Sequence, residues 1–167
     1  MAQNNPTTTP SSTANSTNSF MAAALDEAYA GISAQEGGPF GSVVVKDGII
    51  VGRGHNQVLY NQDPTCHGEM QAIRDACNNL GMHDLSGCEL YTTAEPCPMC
   101  LGAIMWANIK AVYYGCTRFD SADIGFRDDA FYQQLEGETT VVNLSELDRE
   151  ACLELFHVYE QSNASRY

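Results

Sequence analysis

Cys66-His67-Gly68-Glu69 and, thirty positions beyond the histidine, Pro96-Cys97-Pro98-Met99-Cys100 are the two stretches on which the reading of this chain turns. Together they offer three good zinc ligands, His67, Cys97 and Cys100, and one carboxylate, Glu69, that need not be a ligand. A structural zinc site is normally closed by four protein ligands, whereas a catalytic one keeps a position open for water. Three ligands beside a free carboxylate are the minimal set for metal-assisted hydrolysis. His67 and Glu69 are two residues apart, about 200° of rotation on a regular helix, so they converge only off a helix N-terminal end. Cys97 and Cys100 are three apart, about 60°, and share a face in a first turn. Two helix N-termini aimed at one point bring positive dipole ends beside the thiols and favour their ionised form. Taken alone, the C-x-x-C pair also fits a redox couple or half of a structural site, with Cys66, Cys88 or His83 able to close it.

The flanking periodicities place both stretches where a strand or loop feeds a helix. His67 to Leu80 has helical spacing at Met70, Ile73, Ala76, Cys77 and Leu80, with Gly81 as the stop. Cys97 to Ala107 reads as an apolar helix opened by Pro96 and Pro98, with Trp106 in the core. Upstream, Ser19 reads as the cap of a helix ended by Gly37-Gly38-Pro39. Phe40 to Lys46 and Ile49 to Arg53 form a hairpin around Asp47-Gly48. Strands follow at Glu89–Thr93 and Ala111–Gly115. Residues 116–130 read as irregular, Thr140–Leu144 as a fifth strand, and Ser145 as the cap of a final helix with Leu147, Ala151, Leu155 and Tyr159 on one face. The order predicts an α/β fold, a three-layer α/β/α sandwich with a five-stranded mixed sheet.

A chain of 167 residues with 44% hydrophobic content suits one domain. That domain is expected over residues 20–167. Residues 1–19, almost entirely Asn, Ser, Thr, Pro, Gln and Ala, read as a disordered tail. Net charge is −13, with 21 acidic residues against 8 basic ones, of which Lys46 and Lys110 are the lysines. Gripping a phosphate backbone requires clustered basic residues, so nucleic acid is not expected as a partner. Neither an export signal nor a membrane-crossing apolar run is visible, which points to no membrane partner and a reducing, cytoplasmic setting. Cys66, Cys77, Cys88, Cys116 and Cys152 are then expected to pack as small apolar side chains.

The motifs extend beyond the ligands, through Gly38-Pro39-Phe40-Gly41, Asn56, Asp63-Pro64-Thr65 before the first stretch, and Glu95 to Ile104 around the second. On these residues the chain resembles the cytidine deaminase-like superfamily, whose zinc enzymes carry an H-x-E…P-C-x-x-C signature. Within it the chain looks most like the bacterial-type guanine deaminases and the plant guanosine deaminases, over residues 20–167. The resemblance implies Zn2+ on His67, Cys97 and Cys100, with Glu69 as the proton shuttle. It implies a small nucleobase substrate met by Phe40, which stacks on the base, Asn56, which hydrogen-bonds its edge, and Gly68 beside the histidine. Gly125-Phe126-Arg127-Asp128 resembles a Gly-Phe-Asp-Asp stretch, which puts Asp128 on a carboxylate that reads the purine. Tyr167 matches a terminal tyrosine on a segment exchanged between subunits, which implies a homodimer. The implied reaction is hydrolysis of guanine to xanthine and ammonia. Guanosine, cytosine, isocytosine or an aminotriazine are alternative substrates, followed by a tRNA adenosine, and a non-catalytic zinc-stabilised domain is the rival of another class. The chain departs from the family pattern at Ser42, Cys66, Gly68, Thr93-Ala94 and Arg127, which bears on the substrate rather than on the zinc chemistry.

Overall fold

The computed structural model describes residues 18–162, 165 and 166. Most of the expected disordered tail, and Tyr167, lie outside the described residues. The first helix, α1, spans Ser19–Ala34. Its cap is Asn18 rather than Ser19: the Asn18 Oδ1 accepts the amides of Phe20 and Met21 at 2.9 and 3.0 Å, which absorbs two of the orphan donors of a first turn. Strands β1 (Gly41–Lys46) and β2 (Ile49–His55) form the hairpin. Asp47 and Gly48 both take positive φ, 50° and 77°, as a tight hairpin turn with right-handed strand twist requires. A one-turn helix α2 (Val58–Asn61) precedes α3 (Gly68–Leu80), which is closed by Gly81 in the left-handed region at φ 67°. Then come β3 (Cys88–Ala94), α4 (Pro98–Trp106) and β4 (Ala111–Cys116).

Sheet order is β2-β1-β3-β4, with β1 antiparallel to both neighbours and β3 parallel to β4. Side chains alternate across β1, and this alternation builds three layers. Val44 joins Ala72, Ile73, Ala76, Leu90 and Ile104 in the core under α3 and α4. Val43 and Val45 join Tyr91 on the opposite face, against Phe20 and Ala23 of α1. Helix α3 sits on β2 backbone to backbone. A Cβ on Gly54 would come 2.4 Å from the Ala72 nitrogen, and one on Gly52 would come 2.4 Å from the Ala72 oxygen.

Past β4 the structure departs from the sequence reading. Residues 116–130 are not irregular: α5 (Arg118–Asp123) is opened by a reciprocal Thr117–Asp120 capping box, and α6 (Asp128–Leu135) follows. Among the described residues the sheet has four strands, not five. Thr140–Leu144 pairs with no strand because one side chain already occupies its backbone groups. Gln134 Oε1 accepts the Val141 and Val142 amides, both at 2.7 Å, and Gln134 Nε2 donates to the Val142 carbonyl at 2.8 Å. The final helix, α7 (Arg149–Gln161), starts after Asp148 rather than Ser145. Leu144, Leu147, Leu155 and Phe156 are exposed, so the expected inward face of that helix covers no core in this chain. Trp106 is 68% exposed rather than in the core, and Cys116 and Cys152 are exposed rather than packed. No described helix is long and apolar enough to cross a membrane.

Because α3 carries no slack where it meets β2, Gly54→Ala is expected to lower the free energy of unfolding by about 1–3 kcal/mol through overpacking. A shifted midpoint with unchanged slope in urea denaturation is the measurement that checks it.

Candidate active site

Helices α3 and α4 lie on the same face of the sheet, and their first residues face each other. His67 and Cys97 hold the cap positions of the two helices in extended conformation, ψ 158° and 167°, and neither spends its side chain on capping. Both side chains therefore project off the helix ends. Cys100, in the first turn of α4, joins them. His67 Nδ1 stands 3.6 Å from Cys97 Sγ and 3.5 Å from Cys100 Sγ, and the three ligand atoms all lie within 4.8 Å of one another. With Zn–S about 2.3 Å and Zn–N about 2.05 Å, a tetrahedral ion separates N from S by about 3.6 Å. The donor set fits zinc in type and in spacing. None of the three candidates for a closing ligand joins this group among the described residues. Cys66 Sγ instead accepts from Asn61 Nδ2 at 3.6 Å, Cys88 belongs to the core under α3, and His83 is exposed.

The two thiols are inequivalent. A hydrogen bond from Cys100, and secondly one from His67, holds Cys97 down to about 4, a thiolate at neutral pH. The same Cys97 contact, followed by burial, pushes Cys100 up, and the bond to Cys97 raises His67. Glu69 is buried at 5% exposure, with Oε2 3.5 Å from Cys100 Sγ. Burial, the largest cause, pushes its carboxyl up to about 7, so it can hold and release a proton near neutrality. The convergence of His67, Glu69, Cys97 and Cys100 read from the spacing is thus present.

Beside this cluster opens a cavity of about 500 Å³. Phe40, Asn56, His67, Glu69 and Asp128 all line it. Phe40 meets Phe126 edge-to-face, with centroids 4.7 Å apart at 80°, so the two rings brace each other at the cavity wall. Asn56 is buried, and its Oδ1 accepts the amides of Gly38 at 3.3 Å and Val58 at 3.2 Å. Those two bonds settle its orientation, so its NH2 is the group left to donate. Burial, and then the Cys97 charge, raises the Asp128 carboxyl. Gly68 does not line the cavity. It is the buried first residue of α3, where a Cβ would come 3.0 Å from the Phe40 oxygen and 3.3 Å from Ser42 Oγ. Ser42 in turn donates to Thr92 Oγ1 at 2.9 Å.

Sequence reasoning missed Val58, Leu59, Pro64, Phe126 and Phe131 as lining residues. Phe126 was within reach, two residues before Asp128, and Phe131 lies three beyond it on α6. The α5–α6 pair that carries them is fastened to the metal side. Tyr132 Oη donates to the Pro96 carbonyl at 2.6 Å, the Arg118 amide donates to Glu95 at 2.9 Å, and the Arg118 side chain pairs with Asp129 at 3.3 Å.

With this geometry in place, residues 14–116 match the model of the cytidine and deoxycytidylate deaminase zinc-binding region. The chain belongs to that deaminase family. Within the family it is 50% identical to guanine deaminase of Bacillus subtilis over 117 residues, which are 70% of this chain and 75% of that protein. The X-ray structure of guanine deaminase from Bacillus subtilis superposes with a TM-score of 0.80 at 41% identity, covering 91% of this chain and 99% of that one. A tRNA-specific adenosine deaminase from Aquifex aeolicus is 43% identical over 95 residues, 57% of this chain and 62% of that enzyme.

Removing either thiol is expected to empty the site. Cys97→Ala and Cys100→Ala should each retain less than about one-tenth of the zinc bound by the parent protein and unfold at lower temperature, because metal binding and folding are coupled. Elemental analysis of the purified variants and a thermal melt check this.

Proposed function

We propose that this chain hydrolytically deaminates guanine, giving xanthine and ammonia. The observation that carries this reading is the buried Glu69 carboxylate, 3.5 Å from a three-ligand cluster at the wall of an aromatic-lined cavity. The similarity to guanine deaminase of Bacillus subtilis supports the choice of base. Zn2+ held by His67, Cys97 and Cys100 would supply the Lewis acidity that makes water a competent nucleophile near neutral pH. Phe40 would stack on the ring, braced by Phe126, while the Asn56 NH2 donates to an acceptor on the purine edge and Asp128 accepts from a ring N–H. Glu69 removes a proton from the attacking water and delivers it to the ring nitrogen beside the amino-bearing carbon. It then carries the proton of the new hydroxyl to the amino group. The C–N bond breaks, ammonia leaves with that proton, and the water oxygen stays as a carbonyl.

The active form is read as a homodimer whose C-terminal segments are exchanged. The exposed apolar residues from Val141 through α7 support this, together with the half-exposed Tyr113 and Tyr114 on the edge strand β4. In that arrangement a partner's terminal tyrosine, equivalent to Tyr167, would close the cavity. The net charge of −13 disfavours tRNA as substrate.

Ammonia release from guanine, guanosine, adenine and cytosine tests the substrate, with guanine expected to give the highest kcat/KM. No release from any of them would leave a silent domain. Glu69→Gln is expected to keep its zinc and lose at least about a thousandfold in kcat; near-normal turnover would remove the proton role. Deleting residues 163–167 is expected to cut activity and leave zinc content intact, and unchanged kinetics would discard the exchanged tail.

A further inference from the structure

Behind the Asn56 wall of the cavity runs a chain of side-chain hydrogen bonds with one sense of direction. Arg74 Nη1 donates to Gln71 Oε1 at 2.7 Å, Gln71 Nε2 donates to Gln57 Oε1 at 2.6 Å, and Gln57 Nε2 donates to Glu36 Oε2 at 2.7 Å. A guanidinium can only donate and a carboxylate can only accept, so both amides in between are locked in orientation. The other Arg74 nitrogen, Nη2, donates to Thr65 Oγ1 at 3.2 Å, and Thr65 Oγ1 donates to Asp63 Oδ1 at 2.7 Å. The chain thus closes around the base of the segment from Asn56 to Cys66, whose ends are joined by the Gln57 amide on the Cys66 carbonyl at 2.9 Å.

Glu36 is the terminus of this chain and more. The same Oε2 lies 2.7 Å from His55 Nε2, whose other ring nitrogen lies 3.3 Å from Glu27 of α1. The Glu36 backbone carbonyl accepts the Leu59 and Tyr60 amides at 3.0 and 3.1 Å. Gln57 first and His55 second hold its carboxyl below the ordinary range, which keeps it an acceptor. One residue therefore grips both neighbours of Asn56 by side chain and α2 by backbone, and Gly37 and Gly38, which follow it, line the cavity beside Asn56. Glu36 itself does not line that cavity.

We propose that Glu36 is a positioning residue for substrate binding, which fixes the Asn56 amide against the purine edge by holding His55 and Gln57 on either side of it. The assignment rests on the proposed deamination of guanine for its kinetic readout only. Glu36→Ala is expected to raise KM for guanine about tenfold and leave kcat within about twofold, the signature of lost uniform binding. Glu36→Gln, whose amide oxygen can accept from both partners, should restore most of the affinity. In an Asn56→Ala background, Glu36→Ala should cost nothing further, since residues acting through one group are not additive. An equal cost in that background, or an unchanged KM in the single variant, would overturn the assignment. Hydrogen exchange of the full-length protein tests it without turnover. The Gly38 and Val58 amides, which bond Asn56 Oδ1, should exchange faster in Glu36→Ala than in the parent and in Glu36→Gln. Unchanged exchange at both overturns the assignment, whereas a parent protein inert on guanine overturns only the substrate.

Discussion

The ends of α3 and α4 meet with His67 Nδ1 3.6 and 3.5 Å from the two cysteine sulfurs, and a buried carboxylate stands against one of them. Gathering a thiolate, an imidazole and a carboxylate out of water is unfavourable by several kcal/mol unless they compensate one another. The fold supplies that compensation from two sides. The positive dipole ends of two helices lie beside the group, and the apolar core beneath, from Ala72 and Ile73 on α3 to Ile104 on α4, holds the helices in place. A divalent cation would complete the balance, since it converts both thiols to thiolates. The small residues of this layer follow from the same demand: Ala72 and Ala76 are fully buried against glycines of β2, which lets α3 lie close enough for its first residues to reach α4.

The cavity is built in a different way from the metal cluster. The ligands stand on helix ends locked to the sheet, whereas the walls come from connecting segments. One wall is the run from Asn56 to Pro64, and the other is the α5–α6 pair carrying Phe126, Asp128 and Phe131. Each wall is tied down by a few polar contacts rather than by a core. The first hangs on Glu36 and the amide chain behind it; the second hangs on Tyr132, Arg118 and Glu95.

This division explains what was legible in the sequence. His67, Cys97, Cys100 and Glu69 could be placed because i, i+2 and i, i+3 spacings admit only one meeting point, off the helix ends. The hairpin and the two central helices followed from period and turn chemistry. Phe126, Phe131, Val58 and Leu59 escaped because they sit on short elements whose direction is set by tertiary contacts that leave no local period. The misplaced strand at Thr140–Leu144 has strand composition, yet Gln134, six residues before the segment, takes up its amides first. Trp106, read as core from an apolar helix, faces outward because α4 is apolar all round and only one side of it meets the sheet.

The close approach of Gly68 to Ser42 and Phe40 carries a last consequence. Space at the start of α3 is divided between a hydroxyl on a strand and a hydrogen on a helix, with the Phe40 carbonyl as the third boundary. Ser42 cannot retreat, because its hydroxyl is already bonded across the sheet to Thr92. Any volume added at position 68 therefore displaces either the strand or the histidine next to it. Positions 42 and 68 draw on one small space, so the room for a side chain at either is limited by the other.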